Sequence, residues 1–181
     1  MSYLNIKKLH IFDKQSKILD LSLNINTSTA LIGQSGSGKS LTLKSILSLL
    51  PSNLDLTYEV ESNFERSKKN IGFVPQNPFT SLSPMTKIKQ QFFCEENKIK
   101  NLLKLVGLDT WVLDRFPSQL SGGQLQRVVI AVSLSSNPKL LLLDEPTTAL
   151  DQTNKQTILE LLEHLQDKLD ILILFVTHDI H

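Results

Sequence analysis

The sequence predicts an α/β fold with a mixed, largely parallel core sheet, an antiparallel β part and a helical insert. Three observations carry that prediction. The apolar run Ala30-Leu31-Ile32 leads directly into the glycine-rich segment 33–40 and then into a helical pattern. A second run, Leu140 to Leu143, is apolar without alternation and ends in Asp144 and Glu145, as expected of a parallel strand buried on both faces. Between such runs, apolar residues recur at helical spacing.

Taken in order, Leu4, Ile6 and Leu9, followed by the alternating Leu19, Leu21, Leu23 and Ile25, read as the antiparallel β part. Leu41, Leu43, Ile46, Leu47 and Leu50 give the helix behind the glycine-rich segment, with Pro51 as its end. Tyr58 to Val60 and Ile71 to Val74 read as short strands. Residues from about 80 to 120 form the helical insert, where Ile99, Leu102, Leu103, Leu105 and Val106 keep helical spacing until Gly107. Ser121 is placed to cap a helix that begins about Gly123 and runs through Gln124, Arg127, Ile130 and Val132. Ile158, Leu161, Leu162 and Leu165 mark a further helix with a charged outer face, and Ile171 to Val176 the last strand. These stripes are core, and the chain reads as one domain over 1–181 without repeats or low-complexity linkers.

Composition narrows the function. A chain of 181 residues with 40% hydrophobic and 20% charged residues can bury a sizeable core. A net charge of +1 leaves no electrostatic footprint for nucleic acid, and Arg66, Lys68 and Lys69 read as a solvated connector. Cys94 is the only cysteine, which excludes an internal disulfide and a cysteine-rich metal site, and a small half-buried side chain is its expected role. Apolar runs fall far short of the roughly 20 residues of a membrane helix, and the N-terminus lacks a signal-peptide pattern.

The chemistry begins at Gly33-Gln34-Ser35-Gly36-Ser37-Gly38-Lys39-Ser40, which fits G-x-x-x-x-G-K-[ST] between strand and helix. Glycines let successive N–H groups converge on phosphate oxygens, and the following helix adds its positive end. Lys39 is expected to bridge the β- and γ-phosphates, and Ser40 to offer its hydroxyl to Mg²⁺. Leu41 follows the loop and joins the expected nucleotide-binding set. At the carboxyl end of the second run, where ligands of such sheets bind, Asp144 is expected to hold Mg²⁺ and Glu145 to polarise the attacking water.

Leu120-Ser121-Gly122-Gly123-Gln124, lying between these two motifs, resembles the signature of ATP-binding cassette (ABC) transporter ATPases, and the likeness extends over nearly the whole chain. Gln76 in Val74-Pro75-Gln76-Asn77 resembles the Q-loop, Asp151 in Ala149-Leu150-Asp151 the D-loop, and His178 in Val176-Thr177-His178-Asp179 the switch histidine. The resemblance implies catalytic roles for Gln76, Glu145 and His178, with Gln76 also reaching the metal. It implies too that Ser121, Gly122, Gly123 and Gln124, with Asp151, complete the ATP site of a second ABC ATPase subunit in a head-to-tail sandwich. Phe12 is the match for the family's adenine-stacking aromatic and equally fits the core.

Gln76-Asn77-Pro78-Phe79-Thr80-Ser81-Leu82-Ser83-Pro84 resembles the extended Q-loop of dipeptide, oligopeptide and nickel importers, with Ser83 in place of the usual Asn. The resemblance therefore implies Mg-ATP hydrolysis at the cytoplasmic face of the membrane. There the chain would power import through integral membrane permease subunits, with a substrate-binding protein engaged indirectly and no nucleic acid partner. Alternatives are a soluble ABC ATPase acting on ribosomes or DNA, and a non-hydrolysing ATP-binding module. Thr27-Ser28-Thr29 replaces the family's usual Gly-Glu turn, and the insert between Gln76 and Ser121 is shorter than the branch's usual one. The sequence stops at His181, where family members continue with further strands and helices, so Ile171–Val176 is expected to present an exposed apolar edge.

Overall fold

The computed structural model describes residues 2–148 and 150–178. Strands β1 (Leu4–Asp13), β2 (Ser16–Ile25) and β4 (Asp55–Ser62) form an antiparallel sheet in the order β2-β1-β4. The apolar positions of β1 change phase between Ile6 and Leu9, and a register irregularity there keeps Leu4, Ile6, Leu9 and Ile11 all fully buried.

The core sheet is parallel, with β3 (Thr29–Ile32), β5 (Ile71–Val74), β6 (Leu140–Asp144) and β7 (Leu172–Thr177) in the order β3-β7-β6-β5. Both faces of this sheet are covered, which is why its central strands carry no polar alternation. Leu140, Leu142, Leu172, Leu174 and Val176 face the antiparallel sheet together with Leu43 and Ile46 of helix α1 (Lys39–Ile46). Leu141, Leu143 and Ile173 pack in the other core with α2 (Glu96–Leu105), α3 (Gly122–Leu134) and α4 (Gln152–Lys168).

Two expectations need correction. β7 is an interior strand between β3 and β6, so Ile171–Val176 forms no exposed edge; Ile171 to Leu174 and Val176 are buried. Helix α1 ends well before Pro51, because Ser48 takes a left-handed φ of 57°. Ser48 and Leu49 then donate back to Ser45 and Lys44, which satisfies the terminal carbonyls. The insert is helical as expected, with the stripe from Ile99 to Leu105 on its one α-helix, α2, among the described residues. The rest of its turns are short 3₁₀ segments such as Ile88–Gln91 and Thr110–Asp114, since prolines at 78, 84 and 117 interrupt longer helices.

Candidate functional site

The glycine-rich loop hangs from the carboxyl end of β3, where the Gly33 N–H donates to the Thr177 carbonyl at 3.3 Å and ties the loop to β7. Gly36 (φ 82°) and Gly38 (φ 88°) take left-handed conformations, and Gly38 is the N-cap of α1. Lys39 opens that helix almost fully buried; its ammonium donates to the Gly33 and Gln34 carbonyls at 2.6 and 2.8 Å. The loop, from Gln34 to Leu41, walls a cavity of about 690 Å³ whose other side is Gln76, Glu145, Thr148 and His178.

Asp144 and Glu145 end β6 beside the loop. The Ser40 hydroxyl donates to Asp144 Oδ1 at 3.2 Å. Burial pushes the Asp144 carboxyl above its ordinary range, with the Ser40 hydrogen bond opposing. Glu145 departs from strand geometry with φ 47°, fixed by its N–H donating to the Val176 carbonyl at 2.9 Å. Its side chain turns into the cavity and accepts from Gln76 Nε2 at 3.1 Å and Thr148 Oγ1 at 2.9 Å, while His178 Nδ1 lies 3.1 Å from the other oxygen. Burial alone would raise this carboxyl, but the hydrogen bonds from His178 and Thr148, with nearby positive charge, hold it below its ordinary range. Glu145 is therefore ionised and aimed into the site, as a base must be.

Gln76, Glu145 and His178, expected as a set from separate motifs, do meet. Thr148 was not anticipated. Its only signal was its place three residues after Glu145, where a turn brings its hydroxyl back to the carboxylate. The Ser40 hydroxyl, the Asp144 carboxylate and the Gln76 amide are hard oxygen donors suited to Mg²⁺. No cluster of three or more His, Cys, Asp or Glu able to hold a metal occurs among the described residues, so phosphate oxygens and water would have to fill most of its shell.

The signature segment and Asp151 do not line this cavity. Ser121 caps α3 as expected, its hydroxyl accepting from Gln124 N at 3.3 Å while Gln124 Oε1 accepts from Ser121 N at 3.0 Å. Asp151 caps α4, accepting from Asn154 N at 2.9 Å. Gly122 and Gly123 form the first turn of α3. Phe12 is half-buried on β1 with its ring edge-on to His10, 6.3 Å between centroids, and lies outside the cavity lining. Asp179, which follows His178, and Ala149 lie outside the described residues.

Residues 16–148 match the family model described as ABC transporter. The chain is 39% identical over 190 residues to the oligopeptide transport ATP-binding protein OppD of Bacillus subtilis (strain 168), covering 90% of this chain and 53% of that protein. It is 36% identical over 209 residues to AppD of the same organism, also an oligopeptide transport ATP-binding protein, covering 97% and 64%. The methionine import ATP-binding protein MetN of Vibrio vulnificus (strain YJ016) is 36% identical, with 98% and 55% covered. The chain thus spans between about half and two thirds of the length of these relatives. Among solved structures, cbiO1 from Clostridium perfringens, part of the ABC transporter complex cbiONQ, superposes with a TM-score of 0.81 at 27% identity, over 99% of this chain and 80% of that one. The site drawn from distant segments and these matches agree: the chain belongs to the ABC transporter family and has the fold of its ATP-binding subunits.

Proposed function

We propose that this chain is an ATP-hydrolysing subunit of an importer. In this reading it pairs head-to-tail with a second ABC ATPase around two ATP molecules and works at the cytoplasmic face of the membrane through integral permease subunits. The observation that carries the reading is the convergence of Lys39, Ser40, Gln76, Glu145 and His178 on one cavity from segments far apart in sequence, with Asp144 bonded to Ser40 at its edge. Likeness to two oligopeptide transport ATP-binding proteins favours peptide over nickel as the cargo, delivered to the permease by a substrate-binding protein.

The loop N–H groups and Lys39 bind the phosphates and draw charge toward the β–γ bridge. Ser40, Asp144 and Gln76 would hold Mg²⁺, whose charge neutralises the phosphate oxygens when bound. Glu145 accepts a proton from the attacking water as its oxygen bonds to the γ-phosphorus. The bond to the bridging oxygen then breaks, and ADP leaves with that electron pair. His178 and Thr148 orient Glu145, and His178 is placed to donate to the γ-phosphate. Phe12 is the chain's best aromatic for stacking on adenine.

No helix among the described residues is long and apolar enough to cross a membrane. Phe79, Met85, Phe93 and Trp111 expose apolar surface on or beside the insert, a suitable face for a permease. Phosphate release by the parent and by Glu145→Gln tests the function. The parent should turn over ATP, and the variant should bind ATP with release slowed by about a hundredfold or more. Equal release would reject the role of Glu145, and ATP binding without release by the parent would favour the non-hydrolysing module.

A further inference from the structure

Asn154 is the third residue of α4 and half-buried. Its backbone N–H donates to Asp151 Oδ1 at 2.9 Å and its amide Nδ2 to Asp151 Oδ2 at 2.7 Å, so a single residue engages both oxygens of that carboxylate. The backbone bond is an ordinary helix cap, available to any residue at this position except proline. The side-chain bond needs a donor at this position, here the Asn154 amide.

The other end of that amide lies against α3. A Cβ placed on Gly123 would come within 2.8 Å of Asn154 Cγ and closer still to its amide oxygen, a separation that real Cβ atoms essentially never show. Gly123 sits in the first turn of α3 and is not among the positive-φ glycines, so its lack of a side chain answers to space rather than to backbone conformation. Its neighbour Gly122 faces Leu150, which would be 3.6 Å from a Cβ there. The two segments therefore touch along a seam made of glycine on one side and of Leu150 and Asn154 on the other.

We propose that Asn154 is a positioning residue, locking the first turn of α3 to the Asp151 carboxylate so that both meet a second ATPase as one rigid surface. The inference rests on the proposed pairing around ATP. Rigidity matters because surfaces ordered before association lose less freedom on binding. Without the amide, Asp151 and Ser121–Gly123 would have to be ordered separately at each encounter.

The test combines Asn154→Asp and Asn154→Ala with Glu145→Gln, which slows turnover so that pairing can be measured at equilibrium with Mg-ATP. Asn154→Asp keeps the shape and the backbone cap but sets a second carboxylate against Asp151; Asn154→Ala removes the amide without adding charge. Both should bind a fluorescent ATP analogue as monomers within about twofold of the parent and pair about tenfold more weakly, on the usual worth of a hydrogen bond to a charged group. Pairing as tight as the parent's in both variants would overturn the proposal, and so would an equal loss of monomer ATP binding, which marks a merely structural residue. A Glu145→Gln parent that never pairs would withdraw the pairing reading and this inference with it; a parent that pairs alongside unaffected variants withdraws the inference alone.

Discussion

Gly36→Ala and Gly38→Ala should separate backbone strain from steric strain in the phosphate loop. Both positions have left-handed φ, 82° and 88°, which costs an L-residue about 1–2 kcal/mol. Replacing glycine also removes freedom from the unfolded chain, which returns about 0.4–1 kcal/mol. A Cβ on Gly36 meets nothing within 4 Å, so Gly36→Ala should cost about 1 kcal/mol net. A Cβ on Gly38 would lie 2.8 Å from Leu19 Cδ1, well inside carbon contact distance. Leu19 is half-buried against the core and would have to leave its rotamer, at roughly 0.5–1.5 kcal/mol more. Gly38→Ala should therefore cost about 2 kcal/mol, and the excess over Gly36→Ala should vanish when Leu19 is also changed to Ala. Urea unfolding of the single and double variants measures this. Equal costs for the two glycines, or an excess that persists without Leu19, would show that Leu19 does not press on position 38.

Lys39→Ala removes the buried ammonium at the mouth of the loop and should weaken ATP binding by about two orders of magnitude or more. Near-normal affinity by calorimetric titration would contradict the loop assignment. Thr148→Val deletes a donor that keeps the Glu145 carboxyl low, so the acid limb of the kcat/KM profile should move to higher pH, because the base must be ionised. Thr148→Ser should restore it, and an unmoved limb in Thr148→Val would exclude the hydroxyl from tuning Glu145. Ser121→Arg should leave monomer ATP binding intact and abolish ATP-driven pairing. An unchanged dimer fraction in sedimentation would contradict the shared site.

Much of this site was legible in the sequence because phosphate binding needs glycines, a lysine and a hydroxyl at fixed register between a strand and a helix. Asp144 and Glu145 were legible because an apolar run that stops at two acids marks a strand end in a parallel sheet. The capping box of Ser121 and Gln124 was readable in the same local way. What escaped was long-range or set by backbone conformation. The interior position of β7 depends on sheet order, which no local pattern encodes, and the early end of α1 depends on Ser48 adopting a conformation that serine seldom takes. Thr148 and Asn154 each looked like an ordinary polar residue of a turn or helix start. Their partners, Glu145 and Gly123, appear only once the chain is folded.

In the proposed mechanism ATP joins two such ATPases through a site that neither completes alone. Light scattering of Glu145→Gln with and without Mg-ATP tests it most directly. The protein should be a monomer without nucleotide and a dimer of twice that mass with Mg-ATP. A protein that binds ATP yet keeps the monomer mass throughout would contradict pairing between copies of this chain.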